Sequence, residues 1–171
     1  VRALAARHLY IVSTCEELSF PWRAQPRVAG RIDACCRRHG VACLGPGVNP
    51  GFLMDYLPGV LAGACRRVDA IRVFRFQDAS VRRVPFQVKI GAGLTLAQFR
   101  RKAAAGVLRH VGLRESTDML AHSLGWRIER YTEHLRPIVA RRALRAGALR
   151  IARGQARGVE QIGRAYAGGR E

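Results

Sequence analysis

Residues 45–58, GPGVNPGFLMDYLP, form a glycine- and proline-rich turn that follows a short apolar run at 41–44 and leads into an apolar helical pattern. The three glycines permit positive φ and a close approach of the backbone to a ligand, and the first two prolines restrict φ and remove two amide donors. In an open α/β sheet, ligands bind at turns that follow the carboxyl ends of strands. The turn is therefore either a ligand-binding loop or an ordinary strand-to-helix connection.

The residues before this turn have the pattern of a strand, a helix and a second strand. Residues 8–14, HLYIVST, are rich in β-forming residues, residues 26–39 have helical spacing with Gly40 as the stop, and residues 41–44 are the next apolar run. The two strands of such a unit are parallel. We therefore predict an α/β fold in which residues 1–52 are the C-terminal part of a Rossmann-type parallel sheet, a partial nucleotide-binding domain.

The start of the chain indicates that part of this domain is missing. The sequence opens without methionine, at what has the pattern of a last helical turn, and it contains no G-x-G-x-x-G segment that follows a strand and opens a helix. That segment would bind the pyrophosphate of a dinucleotide. We therefore expect a fragment that lacks the N-terminal half of the nucleotide-binding domain and some carboxyl-terminal sequence.

The residues after the turn predict a second domain of mixed type. Residues 137–153 are ambiguous, because alanine and arginine favour helix whereas the alternation of Leu149 and Ile151 favours strand, which is our prediction. We expect residues 53–171 to form an α+β domain, itself incomplete, that binds substrate and mediates oligomerisation. Its other predicted segments are helices at 52–65, 94–105 and 115–124 and strands at 70–76, 126–131 and 159–166.

The strong positive charge raises the question of a nucleic-acid partner. The formal net charge is +18, and all but two of the 30 basic residues are arginines. These charges are spread along the whole chain, and no zinc-finger, RNA-recognition or K-homology motif accompanies them. We predict no specific nucleic-acid partner, although weak, salt-sensitive adhesion to polyanions is expected of any such surface.

Composition also limits the compartment and the metal chemistry. The chain has no apolar run long enough to cross a membrane and no leader pattern, so we predict a cytoplasmic protein without a membrane partner. Its five cysteines are an odd number without framework spacing, which favours free thiols. Cys35, Cys36, His39 and Cys43 match no zinc spacing, so we predict no metal.

A basic turn at 78–93, DASVRRVPFQVKIGAG, is the predicted substrate site. Arginine forks suit carboxylates, a lysine supplies a point charge or a proton, and the glycine-containing end exposes amides ahead of a helix whose Thr and Gln form a capping box. The alternative is that these charges are only solvated loop residues. The predicted catalytic residues are Lys89 and Arg83, and the predicted substrate-binding residues are Arg82, Gly91, Ala92 and Asn49.

Five motifs make the chain resemble a known enzyme family. The turn GVNPG is similar to the G-x-(N/D)-P-G turn of amino-acid dehydrogenases, and the closer resemblance is to the 2,4-diaminopentanoate dehydrogenase and dihydrodipicolinate reductase-like family of NAD(P)-dependent amino-acid dehydrogenases. The motifs stand in the family's order and cover most of the chain. They are VSTCEELSFPW (12–22), GPGVNPGFLMDYLP (45–58), DASVRRVPFQVKIGAG (78–93), HVGLRESTDMLAHSLGW (110–126) and GQARGVEQIGRAYAGG (154–169).

The resemblance implies hydride transfer between NAD or NADP and the amine- or imine-bearing carbon of a small amino-acid-like substrate, in a homo-oligomer. The substrate carboxylate would bind at the basic turn. This turn departs from the reductase pattern at residues 80–83, so the dihydrodipicolinate reaction itself is in doubt. The cofactor-binding residues that the resemblance implies are Thr14, Cys15, Glu16, Gly47, Asn49 and Pro50.

Several alternatives stay open at this point. Cys15 lies near a predicted helix start, where a thiol can act as a nucleophile, but no histidine is placed by sequence to serve as its base. His110 is a second candidate for acid–base chemistry, against the default of a structural histidine. The chain as a whole is alternatively a non-catalytic assembly domain or a basic polyanion-binding module.

Overall fold

A computed structural model of the protein describes residues 1–108 and 111–171. The chain divides into two compact units, and each is described by itself. Unit 1 comprises Val1–Phe74, Val111–Tyr131 and Ala165–Glu171, and unit 2 comprises Arg75–His110 and Thr132–Arg164. These units interleave along the chain. The division into two functional domains at residue 52 stays a prediction.

Helices predominate in the described chain up to Ser123, and most of the strand residues follow it. The helices are α1 (Arg2–Ala5), α2 (Pro21–Ala24), α3 (Pro26–His39), α4 (Tyr56–Ala62), α5 (Val84–Lys89), α6 (Leu96–Ala104) and α7 (Leu113–Ser123), with a 3-10 turn at Glu16–Leu18. The strands are β1 (Ile11–Val12), β2 (Cys43–Leu44), β3 (Arg130–Val139), β4 (Leu144–Ala146), β5 (Leu149–Ile151) and β6 (Ala156–Tyr166). They pair as β1 with β2, β3 with β6, and β4 with β5.

The strand–helix–strand prediction for the start of the chain is confirmed in part. β1 and β2 are parallel, with Ile11 opposite Cys43 and Val12 opposite Leu44, and α3 connects them. α3 ends as predicted, because Gly40 has φ 64° and its amide donates to carbonyl oxygens of the last turn. The described fold is thus a mixture of helices and small sheets, and a larger parallel sheet of Rossmann type stays a prediction.

Unit 2 is built on two small apolar clusters. One consists of Ala92, Ala140, Ala146 and Ile151, with Leu144 packed against it. The other surrounds Phe99 of α6, which is only 1% exposed, together with Leu108 and Ala156. α6 begins with the predicted capping box between Thr95 and Gln98. The predictions of helix at 94–105 and of strands between 137 and 166 are confirmed.

The strand predicted at 70–76 is wrong, and the helix predicted at 52–65 and the strand predicted at 126–131 have other bounds, since the strand begins only at Arg130. Residues 70–76 are not a strand, because no neighbouring segment of the described chain pairs with their backbone; Phe74 and Phe76 are exposed instead. The helix predicted over 52–65 is shorter and begins at Tyr56. Asp55 ends the preceding turn, since its side chain accepts from the backbone amides of Gly51 and Tyr56.

The helices of the described ranges are short relative to a bilayer. The longest, α3, has 14 residues, whereas a membrane span takes about 20. Within residues 1–108 and 111–171, none is both long and apolar enough to cross a membrane.

Candidate functional site

Two loops meet where the parallel strands of unit 1 end. Beyond the last paired residues, the amide of Ser13 donates to the carbonyl oxygen of Leu44 at 2.9 Å. At Gly45, an added Cβ would lie 2.5 Å from the backbone carbonyl carbon of Leu18, so the loop after β2 touches the turn after β1. This close approach explains the first glycine of the motif. The predicted cofactor-binding residues of both loops therefore share one sheet edge.

The loop after β2 is folded tightly on itself. A Cβ at Gly47 would stand 2.3 Å from the carbonyl oxygen of Pro50, and Gly51 has φ 118°. Pro50 follows a cis peptide bond and is buried. Gly112, with φ 101°, covers it so closely that a Cβ there would be 2.3 Å from the Pro50 ring. The glycines thus serve the packing of the loop.

A buried carboxylate anchors this loop to α7. Asp55 is 1% exposed, and its Oδ2 accepts hydrogen bonds from the amide of Gly51 at 2.7 Å and from the hydroxyl of Ser116 at 2.7 Å. Its Oδ1 accepts from the amide of Tyr56 at 2.6 Å. The pairing of Asp55 with Ser116 is not predictable from the sequence, because no local signal connects residues so far apart in the chain.

The predicted cofactor-binding residues differ in exposure. Thr14, Cys15 and Gly47 are exposed, Glu16 and Asn49 are half-buried, and Pro50 is buried. Pro50 thus contacts protein and not solvent. The side chains of Thr14, Asn49 and Glu16 bring hydroxyl, amide and carboxylate groups to this edge. Their role as cofactor ligands stays a prediction.

Cys15 is held as a thiol. Its Sγ donates to the carboxylate Oε2 of Glu17 at 3.2 Å. This hydrogen bond raises the pKa of the Cys15 thiol above its usual range, because the carboxylate stabilises the protonated form. An activated nucleophile requires the opposite shift. The geometry therefore disfavours the nucleophile alternative.

The cysteines and histidines of the described ranges do not gather into a metal site. No group of three or more His, Cys, Asp or Glu side chains there is arranged to hold a metal ion. The thiols, which include buried Cys36 and half-buried Cys35 and Cys43, are free. That the protein uses no metal stays a prediction.

Unit 2 contains a cavity of about 360 Å³. Its walls come from the loop before α5, from α5 and the turn after it, and from β3, β4 and β6. The apolar part of the wall includes Ile90, Ala92, Ile138, Leu144 and Val159. The size lies in the usual range for small-molecule sites, which are mostly apolar with a few polar groups.

Five polar residues line the same cavity: Gln77, Asp78, Ser80, Gln87 and Arg157. Asp78 accepts a hydrogen bond from the Ser80 amide at 2.8 Å, and this bond lowers the pKa of the Asp78 carboxyl. Asp78 is therefore ionised at neutral pH. The cavity wall thus carries both a negative and a positive charge.

Gln87 of α5 is the buried member of this set, at 1% exposure. Its Nε2 donates to the backbone carbonyl oxygens of Ser80 at 3.1 Å and Arg82 at 2.8 Å. Its Oε1 has no hydrogen-bond partner among the residues that the structure describes. Sequence analysis missed Gln87 and Arg157, because only the three-dimensional packing turns these two side chains into a cavity wall.

The predicted basic residues lie outside that wall. Arg82, Arg83 and Lys89 are exposed, at the start and the end of α5, and none of them lines the cavity. The Arg82 guanidinium lies 4.8 Å from the centre of the Phe86 ring. Of the predicted unit 2 residues, Ala92 alone is among the lining residues described. The catalytic roles of Lys89 and Arg83 stay predictions.

The glycine-containing end of the basic turn does not present free amides, which corrects our expectation. The amides of Gly91, Ala92 and Gly93 donate to the carbonyl oxygens of Val88, Gln87 and Ala156. These bonds fasten the turn to α5 and β6. Substrate contact by Gly91 or Ala92 stays a prediction, but their backbone amides are not free to make that contact. The second histidine candidate, His110, lies outside the described residues.

Comparison with known proteins confirms the resemblance drawn from the motifs. The family model for the 2,4-diaminopentanoate dehydrogenase C-terminal domain matches residues 52–171. The 2,4-diaminopentanoate dehydrogenase of Acetoanaerobium sticklandii is 31% identical over 141 residues, which are 81% of this chain and 40% of that protein. This chain therefore spans less than half the length of that curated relative.

A solved structure agrees with the fold. The amine dehydrogenase from Mycobacterium smegmatis matches with a TM-score of 0.75 at 22% identity, covering 98% of this chain and 50% of that chain. At this identity the match concerns the fold alone. Because the family model extends over more than half of the sequence, the chain belongs to the family of the 2,4-diaminopentanoate dehydrogenase C-terminal domain.

Proposed function

We propose that this chain is part of an NAD(P)-dependent oxidoreductase that acts on the amine- or imine-bearing carbon of a small amino or diamino acid. The observation that carries the proposal is the family match over residues 52–171, joined by a relative named 2,4-diaminopentanoate dehydrogenase. The preferred substrate class is accordingly a short aliphatic chain with a carboxylate and at least one amine.

The cofactor is proposed to contact the sheet edge of unit 1. A nicotinamide ring carries a carboxamide, which both donates and accepts hydrogen bonds, and Thr14 and Asn49 can do the same. The parallel strand ends at Leu44 and Val12 bring both loops to one edge, where ligands of open α/β sheets bind. These residues therefore fit the group. When bound, the nicotinamide would accept or supply the hydride.

The chain's own contribution is orientation and charge. The loop after β2 is held by Asp55 and by the packing of Pro50, so its exposed residues have a fixed position before a ligand arrives. In unit 2, the exposed charges of Arg82, Arg83 and Lys89 are proposed to attract the substrate carboxylate. Lys89 is also proposed to hold a proton for the reacting nitrogen.

The direct experiment is an assay of the complete gene product that contains this chain. With 2,4-diaminopentanoate as substrate, we expect formation of reduced NAD or NADP, followed by absorbance. Lys89→Ala should lower kcat, and Arg82→Ala should raise KM, because a positive charge that attracts the substrate carboxylate is removed. Arg153→Ala changes an exposed arginine of unit 2 outside the proposed site and should leave both constants unchanged.

Absence of reduction with either cofactor, over a panel of short amino and diamino acids, would contradict the proposed function. Full activity of both Lys89→Ala and Arg82→Ala would contradict only the assignment of these residues. Homo-oligomerisation and a cytoplasmic location belong to the same proposal and are tested by light scattering and by fractionation of the source cells.

A further inference from the structure

The unpartnered oxygen of Gln87 has a fixed position. Its Nε2 donates to two backbone carbonyl oxygens, those of Ser80 and Arg82, which can only accept. The two contacts therefore determine which end of the amide is nitrogen, and the remaining end must be Oε1. Among the described residues no donor reaches this oxygen, although Gln87 is 1% exposed. A buried acceptor without a donor costs free energy, so such a group calls for an explanation.

The cavity that Gln87 lines indicates what would satisfy this oxygen. The partner must be a donor, and Asp78 on the same wall makes a cationic donor more favourable than a neutral one. An ammonium group has three donors and can serve both residues. Arg157, also on the wall, offers a fork suited to a carboxylate. Ile90, Ala92 and Val159 supply apolar surface for a short aliphatic chain.

We propose that this cavity binds a small zwitterion, with its ammonium group donating to Gln87 Oε1 and facing Asp78, and its carboxylate pairing with Arg157. The inference rests on the function proposed above for its ligand class, an amino acid with a short aliphatic chain. It assigns recognition to Gln87, Asp78 and Arg157, and it gives Arg157 the direct carboxylate contact, whereas Arg82 attracts the carboxylate from outside the cavity.

Binding is tested with three probes of equal carbon number on the isotope-labelled full chain, followed by NMR. The probes are 2-aminopentanoate, pentanoate, which lacks the ammonium group, and 2-aminopentane, which lacks the carboxylate. We expect 2-aminopentanoate to shift the side-chain amide resonance of Gln87 and the backbone resonances of Ser80 and Gly158, with saturation. The other two probes should bind at least about tenfold more weakly, because each loses one charged contact.

Variants separate the two contacts. Asp78→Asn keeps an oxygen for the Ser80 amide and should weaken both amine-bearing probes several-fold, but not pentanoate. Arg157→Gln should weaken both carboxylates and leave 2-aminopentane unchanged. Arg153→Gln removes an exposed charge of unit 2 that does not line the cavity and should change nothing. Gln87→Met is the direct test of the acceptor oxygen. Because this substitution also removes two donated hydrogen bonds, the NMR spectrum of the variant must first show a native fold. If it does not, the variants at the exposed residues Asp78 and Arg157 test the proposal.

Three results would overturn the proposal: no saturable shift of the cavity resonances, equal binding of 2-aminopentanoate and pentanoate, or undiminished binding by both Asp78→Asn and Arg157→Gln. These outcomes differ from failure of the proposed function. The complete protein could oxidise 2,4-diaminopentanoate with the same KM in Asp78→Asn and Arg157→Gln as in the unsubstituted protein. That result would contradict this inference alone. Saturable binding that the variants weaken, without any oxidation, would support this inference and contradict the proposed enzyme function.

Discussion

The carboxylate of Asp55 accepts a hydrogen bond from the hydroxyl of Ser116 at 2.7 Å, which joins two buried residues 61 positions apart. The same oxygen accepts from the amide of Gly51 at 2.7 Å. One buried carboxylate therefore connects the glycine-rich loop with α7. The position of the loop depends on this connection as much as on its own glycines and prolines.

We predict that Ser116→Ala lowers the free energy of unfolding by about 1–2 kcal/mol, because the buried Asp55 carboxylate loses one of its donors. The matched control is Ser123→Ala in the same helix. Its hydroxyl donates to the carbonyl oxygen of Met119 at an exposed position, so its cost should stay within about 0.5 kcal/mol. Urea unfolding of both variants makes the comparison. Equal losses would mean that Asp55 does not depend on Ser116.

Of the two glycines that flank α7, Gly112 and Gly125, we predict that replacement of Gly112 costs more stability. Alanine there combines a positive φ of 101° with a Cβ 2.3 Å from the Pro50 ring, so both backbone strain and overpacking oppose it. Gly125, with φ 68° and open space around it, meets only the first of these costs. Gly112→Ala should therefore cost at least about 1 kcal/mol more than Gly125→Ala in urea unfolding. A smaller or reversed difference would contradict the packing of Pro50.

Local signals were sufficient for much of the secondary structure. α3 was predicted from its spacing and from Gly40, and α6 from its capping box, because a helix and its ends are determined by neighbours in sequence. The strand predicted at 70–76 failed for the opposite reason. Its residues favour β-structure, but a strand also needs a partner, and the pattern of one segment cannot say whether a partner is near.

Of the candidate site, only the loops after β1 and β2 were predictable from the sequence. The loops after β1 and β2 were placed at one sheet edge because a strand–helix–strand pattern implies parallel neighbours. The cavity of unit 2 was not predictable in this way. Gln87 sits among exposed and half-buried residues of a six-residue helix, so helical periodicity does not predict its burial.

Cys15 is predicted to react slowly with alkylating reagents until Glu17 is replaced. The hydrogen bond to the Glu17 carboxylate raises the pKa of the thiol, so less thiolate is present at any given pH. Glu17→Gln should lower this pKa and accelerate alkylation of Cys15 by iodoacetamide several-fold at mildly alkaline pH, measured by peptide mass spectrometry. Cys65, also exposed, is the internal control and should react at the same rate in both proteins. An unchanged rate at Cys15 would mean that Glu17 does not control the thiol.

The ion pair between Arg136 and Glu160 gives a prediction for the titration of Glu160 in the acid range. Arg136 donates to the Glu160 carboxylate across β3 and β6, and this hydrogen bond holds the pKa of Glu160 below its usual range. A lowered carboxyl pKa stabilises the folded state above the unfolded pKa, about 4, and this contribution is lost as pH falls through the folded value. The titration midpoint of Glu160, followed by NMR, should therefore rise in Arg136→Gln and stay unchanged in Arg153→Gln.

The same pair connects this titration with stability. Arg136→Gln should lower the melting temperature slightly at neutral pH, since the pair is solvent-exposed and its net contribution is small. The difference from the unsubstituted chain should disappear as the pH falls below the folded pKa of Glu160, because protonation removes the attraction that only the unsubstituted chain has. A difference that persists or grows in acid would show that Arg136 stabilises β3 through packing of its side chain and not through the charge of Glu160.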